Sequence, residues 1–395
     1  MRIILGVTGS VAAFKALEIG RLFIKNGIKV VPVLTKNALN FVGKDSFESL
    51  FHEEVYYELF SPHICQKEPV HIKILKDVDA IVVAPCTANM IGKFANGVAD
   101  DLLSTILLAS KVQVFIAPAM HEDLWTSEIV EENVKKLKRK GVIFIGPEEG
   151  ELSDLRIGKG RMSEPEKVFK EVFEFLKLRE KFKNKKLLLV FGRTEEDIDS
   201  VRVITNKSSG KMGKALFDTA LKMGFEISII KGKTDFEFEF KRLKEVRTAN
   251  EMFEKIKEEI LNFKPDIFIM NAAVSDFIPS VKEESKIKRE ERERNISLKP
   301  NIDILKEISN YKDEKMVFVG FALEDKDIFE NAKKKLYEKK LDMIVLNTPS
   351  SIGSDFTKIW ILKKDGEIKE FPSISKKEAS LKIFEEIFDA FKEIL

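Results

Sequence analysis

Cysteine is nearly absent from this chain: Cys65 and Cys86 are the two present, and their spacing suits neither a zinc site nor a disulfide framework. A reducing, cytoplasmic compartment is the expectation. Net charge of one sign is also missing. The 67 basic and 65 acidic residues leave a formal charge of +2, which removes the case for nucleic acid or an anionic membrane as partner. Any basic site must be local. No apolar run reaches the length of a membrane span, and the opening MRIILGVTGSVAAF runs into a glycine-containing turn with no signal-peptide cleavage pattern, so a soluble protein is expected. Two nucleotide signatures are missing as well, the G-x-G-x-x-G spacing after the first strand and the G-x-x-x-x-G-K-[ST] phosphate loop. Glutamine is scarce against Lys and Glu, a bias that fits heat adaptation or base composition equally and carries no function.

A chain of 395 residues is too long for one ordinary core, so two α/β domains are expected. Short apolar runs alternate with helical patterns: Ile3 to Val7, Val30 to Leu34, Ala80 to Ala84, Val114 to Ala117 and Val142 to Ile145 read as buried strands. A second series follows at Leu187 to Phe191, Glu226 to Ile230, Ile267 to Met270, Val317 to Phe321, Met343 to Leu346 and Ile359 to Leu362. Between them FEFLKLREKFKNKK reads as a charged helix end and a polar connector. The expected fold is therefore two Rossmann-like domains with mainly parallel sheets, residues 1–180 and 183–395. The segment Lys282 to Arg294 breaks the rhythm and reads as a solvated flap or as one that closes over phosphates.

The first strand, with Gly6, runs into Thr8, Gly9 and Ser10 before a helix within Val11 to Ile24. Amides at that helix start suit a phosphate, although the same turn serves as a plain connection in many doubly wound sheets. The segments VLTKNALNFV, VHIKILKDVDAIVVAPCTANMIGKFANGVADDLLST and IAPAMHEDLW each fall after a predicted strand or at a helix start, the edge where ligands bind in open parallel sheets. These residues resemble the flavin-dependent cysteine decarboxylases. Together with the second half they resemble the bifunctional phosphopantothenoylcysteine decarboxylase and phosphopantothenate–cysteine ligase family, over almost the whole chain. The resemblance implies a flavodoxin-like domain that binds FMN, with Gly9, Ser10, Thr35, Ala88 and Asn89 near the cofactor and His71 matching the active-site histidine. In that reaction the flavin oxidises the cysteine thiol, the carboxylate leaves, and the electrons return to the product. A histidine suits proton handling there.

Two positions depart from the family pattern. His121 follows Pro118, Ala119 and Met120 where the family has asparagine, and Asp154 stands two residues after Gly150, Glu151 and Leu152 where it has the proton-donating cysteine. Gly158, Gly160, Arg161 and Met162 keep the family's spacing. A buried Asp154 can donate a proton whereas an exposed one is ionised at neutral pH, and His121 can bind a carboxylate. Cys86 lies in a different turn and reads as a small buried residue. A decarboxylase with altered acid chemistry, a partial oxidative one, and a flavin-binding domain without the reaction all stay open.

In the second half, FGRTEEDIDSVRVITNKSSGKMGKAL places Asp199, Arg202, Asn206, Ser208, Ser209, Gly210, Lys211 and Gly213 between a strand and a helix. Such a turn can bind an anion and present an amide side chain to a reacting carbonyl, or be a glycine-rich connection with ordinary caps. Downstream come NAAVSDF, KIKR, VGFALED and the helix AKKKLYEKKLD, on which Lys335 and Lys339 share a face. The constellation is similar to the ligase of the same family, whose nucleotide is CTP with Mg²⁺. Resemblance places the base and ribose near Ala272, Ala273, Asp276 and Phe321 and the triphosphate near Lys286, Lys335 and Lys339, and it matches Asn206 to conversion of the activated intermediate. Lys299 and Pro300 correspond to the family's nucleotide loop with shifted lettering. No side-chain metal site is expected.

The resemblance implies 4'-phosphopantothenate, cysteine and CTP as substrates, an acyl-cytidylate intermediate, and a homo-oligomer with flavin sites between subunits. The runner-up is a ligase alone, joined to a flavin-binding domain that lacks the family's Cys and Asn. A nicotinamide-dependent oxidoreductase of two Rossmann-like domains and a flavin-holding regulatory protein are the competing classes.

Overall fold

The computed structural model describes residues 1–60, 68–151, 156–288, 295–323 and 328–392, and Asp154 and Cys65 lie outside them. The chain divides into two compact units, Met1–Arg179 and Glu180–Leu395.

In the first unit, strands β1 (Arg2–Val7), β2 (Lys29–Leu34), β3 (Ala80–Cys86), β4 (Gln113–Pro118) and β5 (Ile143–Phe144) form a parallel sheet in the order β2-β1-β3-β4-β5. The continuous apolar runs have the expected cause. Every residue of β3 and β4 is buried, since helices cover both faces. Helix Lys15–Lys25 buries Ala16, Ile19, Gly20 and Phe23, a stripe at helical spacing. A hairpin, β6 (Glu148–Glu151) with β7 (Ile157–Arg161), follows. Its sequences EEGE and IGKGR lack apolar alternation, which is why no strand was legible there.

The second unit contains β8 (Lys186–Arg193), β9 (Glu195–Asp197), β10 (Val203–Thr205), β11 (Glu226–Lys231), β12 (Leu243–Glu245), β13 (Ile267–Ala273), β14 (Phe277–Pro279) and β15 (Leu298–Pro300). Then come β16 (Val317–Leu323), β17 (Met343–Asn347), β18 (Phe356–Lys363) and β19 (Ile368–Ser375). The main sheet runs β12-β11-β8-β13-β16-β17-β18-β19, parallel as far as β17 and antiparallel at β18 and β19. Its first six strands have the Rossmann order.

Side chains alternate across this sheet. Leu188, Val190, Phe268, Met270, Phe318 and Ile344 pack with Met252, Ile256, Ile308 and Leu336 on one side. On the other side, Phe191 lies against Gly213 of helix Lys211–Met223, where a Cβ would stand 2.3 Å from the Phe191 Cβ. That helix packs on helix Lys376–Phe391, with the Thr219 and Ser380 hydroxyls hydrogen-bonded between them.

Candidate active sites

A cavity of about 1250 Å³ opens at the carboxyl ends of β1 to β4. Strand order reverses between β1 and β3, the crevice in which open α/β sheets bind ligands. Thr8, buried at the end of β1, ties the two strands together: its hydroxyl donates to the Pro85 carbonyl at 2.9 Å and accepts from the Thr87 amide at 3.0 Å. Gly9 has no room for a side chain, because a Cβ would lie 2.6 Å from the Asn37 Cβ. The Ser10 hydroxyl accepts from the Ala12 amide at 3.3 Å, and that of Thr35 from the Ala38 amide at 3.3 Å. Ala88 and Asn89 begin helix Ala88–Asn96, whose N-cap Thr87 makes no side-chain bond, so its leading amides suit an anion. Gly9, Ser10, Thr35, Ala88 and Asn89 all line this cavity.

His121 lines it too. It caps the short helix Glu122–Trp125, with Nδ1 3.3 Å from the Asp123 amide and 3.2 Å from the Asp123 carboxylate. The loop bearing His121 is seated on Gly160, whose carbonyl accepts from the Met120 amide at 3.1 Å and where a Cβ would meet the Met120 oxygen at 2.1 Å.

His71 is not brought to this cavity; it lies half-buried in the first turn of helix Val70–Leu75. Cys86 is fully buried at the end of β3, and burial pushes its thiol pKa up, so it stays protonated. Lys15, Lys93 and Arg161 also line the cavity, and none was assigned a role from the sequence. Lys15 pairs with Glu164 at 2.9 Å, Arg161 pairs with the same carboxylate, and Lys93 pairs with Asp100 and Asp101 at 2.7 Å each. Arg161 and Lys93 lay in segments that the sequence singles out, whereas Lys15 meets Glu164 only through the fold.

The second unit has a cavity of about 520 Å³ where its strand order reverses between β8 and β13. Asn206, Ala272, Ala273, Asp276, Phe321, Lys335 and Lys339 all line it. The Asn206 side-chain amide donates to the Val274 carbonyl at 2.8 Å, joining the NKSSG turn to the AAVSD turn. Buried Thr194 supports both: its hydroxyl accepts from the Ser275 amide at 3.1 Å and its carbonyl from the Thr205 hydroxyl at 2.6 Å. Gly210 adopts φ +79°, and a Cβ there would approach Thr234 Cγ2 to 2.4 Å.

Lys335 and Lys339 are half-buried while Lys333, Lys334 and Lys340 are exposed, so the pair faces the cavity. Lys339 is held by Asp303 at 2.9 Å. Lys286 does not line the cavity and is exposed on the flap. That flap is pinned beside it: the Ile287 amide donates to Asp199 at 3.1 Å, and Lys282 pairs with Asp197 at 2.6 Å. Burial pushes the Asp199 carboxyl up, but bonds from the Val201, Ile287 and Arg202 amides and the Arg202 guanidinium outweigh it, leaving its pKa at about 2. Lys299 and Pro300 stay outside the cavity lining, and the segment enters it at Asn301, whose side chain donates to the Ser275 carbonyl at 2.8 Å. The sequence marked this segment by resemblance at Lys299 and Pro300, whereas the pairing of β14 with β15 brings Asn301 to the cavity instead.

Residues 1–177 match the family model described as Flavoprotein, and residues 182–391 match the one described as DNA/pantothenate metabolism flavoprotein C-terminal domain. The chain is 37% identical over 406 residues to the Coenzyme A biosynthesis bifunctional protein CoaBC of Bacillus subtilis (strain 168), covering 98% of this chain and 96% of the relative. It is 35% identical over 389 residues to the protein of the same name from Borreliella burgdorferi (strain ATCC 35210 / DSM 4680 / CIP 102532 / B31), covering 98% of each. A crystal structure of the C-terminal domain of a CoaBC protein is 32% identical, with a TM-score of 0.46, covering 54% of this chain and 98% of that one. The chain thus belongs to the family of coenzyme A biosynthesis bifunctional proteins, enzymes in which a flavoprotein decarboxylase domain is joined to a ligase domain.

Proposed function

We propose that residues 183–395 join 4'-phosphopantothenate to cysteine at the expense of CTP and that residues 1–180 decarboxylate the product with FMN, yielding 4'-phosphopantetheine. The observation that carries the reading is the meeting of Asn206, Ala272, Ala273, Asp276, Phe321, Lys335 and Lys339, from separate strand ends, in one cavity. A free carboxylate is a poor acyl donor, and transfer to the CTP α-phosphorus with loss of pyrophosphate gives it a nucleotide leaving group. Lys335 and Lys339 offset charge on the phosphates, and Asn206 holds the oxyanion as the cysteine amine attacks the acyl-cytidylate. Among the described residues no group of three His, Cys, Asp or Glu side chains could hold a metal, so Mg²⁺ enters with the phosphates.

In the flavoprotein domain, the close approach at Gly9, the Ser10 and Thr35 hydroxyls and the open amides at Ala88 and Asn89 suit a flavin phosphate. Bound there, FMN supplies the two-electron acceptor for the substrate thiol. His121 is placed to hold the substrate carboxylate, and Asp154 takes the acid role in the altered site. Val11, Phe14, Phe41 and Leu124 line the cavity while half or more exposed. With His71 outside the cavity, these apolar residues support a homo-oligomer in which a second copy completes each flavin site. A cytoplasmic enzyme fits these substrates.

The test is one incubation of the full chain with 4'-phosphopantothenate, cysteine, CTP and Mg²⁺, with products followed by mass. 4'-Phosphopantetheine supports both activities. Accumulation of phosphopantothenoylcysteine establishes the ligase alone, the reading favoured by burial of Cys86 away from the cavity. No condensation with CTP sinks the ligase reading.

A further inference from the structure

Both the nucleotide and the acyl substrate of the proposed ligase carry phosphate, yet Lys335 and Lys339 enter its cavity from one helical layer only. The opposite layer brings a second pair. Lys211 opens helix Lys211–Met223 and Lys376 opens helix Lys376–Phe391; these helices pack together, and both lysines line the cavity. Lys376 is only 8% exposed, an uncommon place for a lysine without a bonded carboxylate. Its ammonium donates to the Ser351 carbonyl at 3.0 Å. Lys211 spans to the Asp355 carboxylate at 2.7 Å and the Gly353 carbonyl at 2.8 Å.

Asp355 thus bonds the Lys211 ammonium, whereas the Lys376 ammonium bonds a backbone carbonyl. Burial and then Lys211 push Lys376 below the ordinary lysine range, while Asp355 acts in the other direction. With three donors on each ammonium, both retain hydrogens for a ligand. At the same turn Gly210 supplies no side-chain cap, and the Lys211 amide donates to the Ser209 hydroxyl at 3.5 Å.

We propose that Lys211 and Lys376 form a second phosphate subsite in this cavity, where a substrate phosphate takes over the Lys211 contact made by Asp355. The inference rests on the ligase reading above. With Lys335 and Lys339 assigned to the nucleotide, the phosphate monoester of the acyl substrate is the occupant, and the nucleotide's own phosphates are the other source of the same chemistry.

The full chain is assayed with 4'-phosphopantothenate and with unphosphorylated pantothenate as acyl donors, and CTP is titrated separately. Lys211→Met is exposed enough to fold, and Lys376→Met is paired with Lys376→Arg. Each Met variant is expected to raise KM for 4'-phosphopantothenate by about 10- to 100-fold. Preference over pantothenate shrinks by the same factor, kcat moves less, and Lys376→Arg recovers much of the loss. A rise confined to KM for CTP, with the preference intact, still supports the subsite and assigns it to the nucleotide. Unchanged KM for both substrates in Lys211→Met overturns the proposal, as does a loss in kcat alone. If the wild type makes no amide with CTP, the ligase reading has failed and pyrophosphate binding decides the subsite: binding at least tenfold weaker in Lys211→Met keeps it, and equal binding removes it.

Discussion

Asn206 bridges two turns through a single donor, its side-chain amide on the Val274 carbonyl. In Asn206→Asp that donor is lost and a carboxylate faces a carbonyl oxygen, while the cavity lysines Lys335 and Lys339 are untouched. Amide formation is expected to fall by about 10²- to 10³-fold, the usual loss for an oxyanion donor, with pyrophosphate release retained so that acyl-cytidylate accumulates. Quenched reactions analysed by mass check this; normal amide formation in the variant removes Asn206 from the role. Gly9→Ala acts on the other cavity, forcing the Asn37 backbone to move away from the new methyl group. Such overpacking costs about 1–3 kcal/mol, so purified protein should carry markedly less flavin, measured as absorbance per chain. Full flavin content would show that the cradle tolerates a methyl group. Gly9 and Asn206 were picked out by resemblance, since their turns alone read equally as plain connections, and the fold brings each to the lining of a cavity. Lys376 was not, since it reaches the cavity only through the packing of two helices distant in sequence.

At the scale of elements, the flap is the segment whose behaviour follows most directly from its contacts. Asp199 accepts from the Ile287 amide, one residue beyond Lys286, and from Arg202, which also donates to the Ile287 carbonyl at 3.2 Å. Its folded pKa of about 2 lies below the ordinary aspartate value near 3.9. The stabilisation is therefore present in full above about pH 4 and is lost as pH falls toward 2. Asp199→Asn should imitate that release at neutral pH, and trypsin should cut faster between Lys282 and Lys288 than in the wild type. An unchanged digestion rate would mean that Asp197 and Lys282 alone fix the flap. Lys286 stands outside the cavity lining, so Lys286→Gln tests the expectation that the flap closes over a phosphate: suppressed CTP-dependent pyrophosphate release would support it, and wild-type release would confine the flap to a structural role. The buried parallel strands were visible as apolar runs, because both their faces are covered. The edge strand β19 was not, since its burial varies residue by residue and only Ser375 is buried. The short pairs β9 with β10 and β14 with β15, which build the loops around the second cavity, have three residues per strand and no room for a period.

At the scale of the whole molecule, each unit has its own apolar core, and among the described residues each cavity is lined by residues of its own unit. A two-domain chain of this kind is not expected to melt as one two-state body, and ligands should stabilise the unit that binds them. Phe318 provides the test. It is fully buried in the second core, with its ring centroid 5.1 Å from that of Phe268, so Phe318→Ala removes about 3–5 kcal/mol from that unit. Calorimetry should show one transition lowered, the one raised by CTP in the wild type, while the transition that releases flavin fluorescence keeps its temperature. Flavin content should be unchanged and CTP-dependent condensation reduced at temperatures near the lowered transition. If both transitions fall together, the units unfold as one cooperative body, and the stability of the flavoprotein unit depends on the core of the ligase unit.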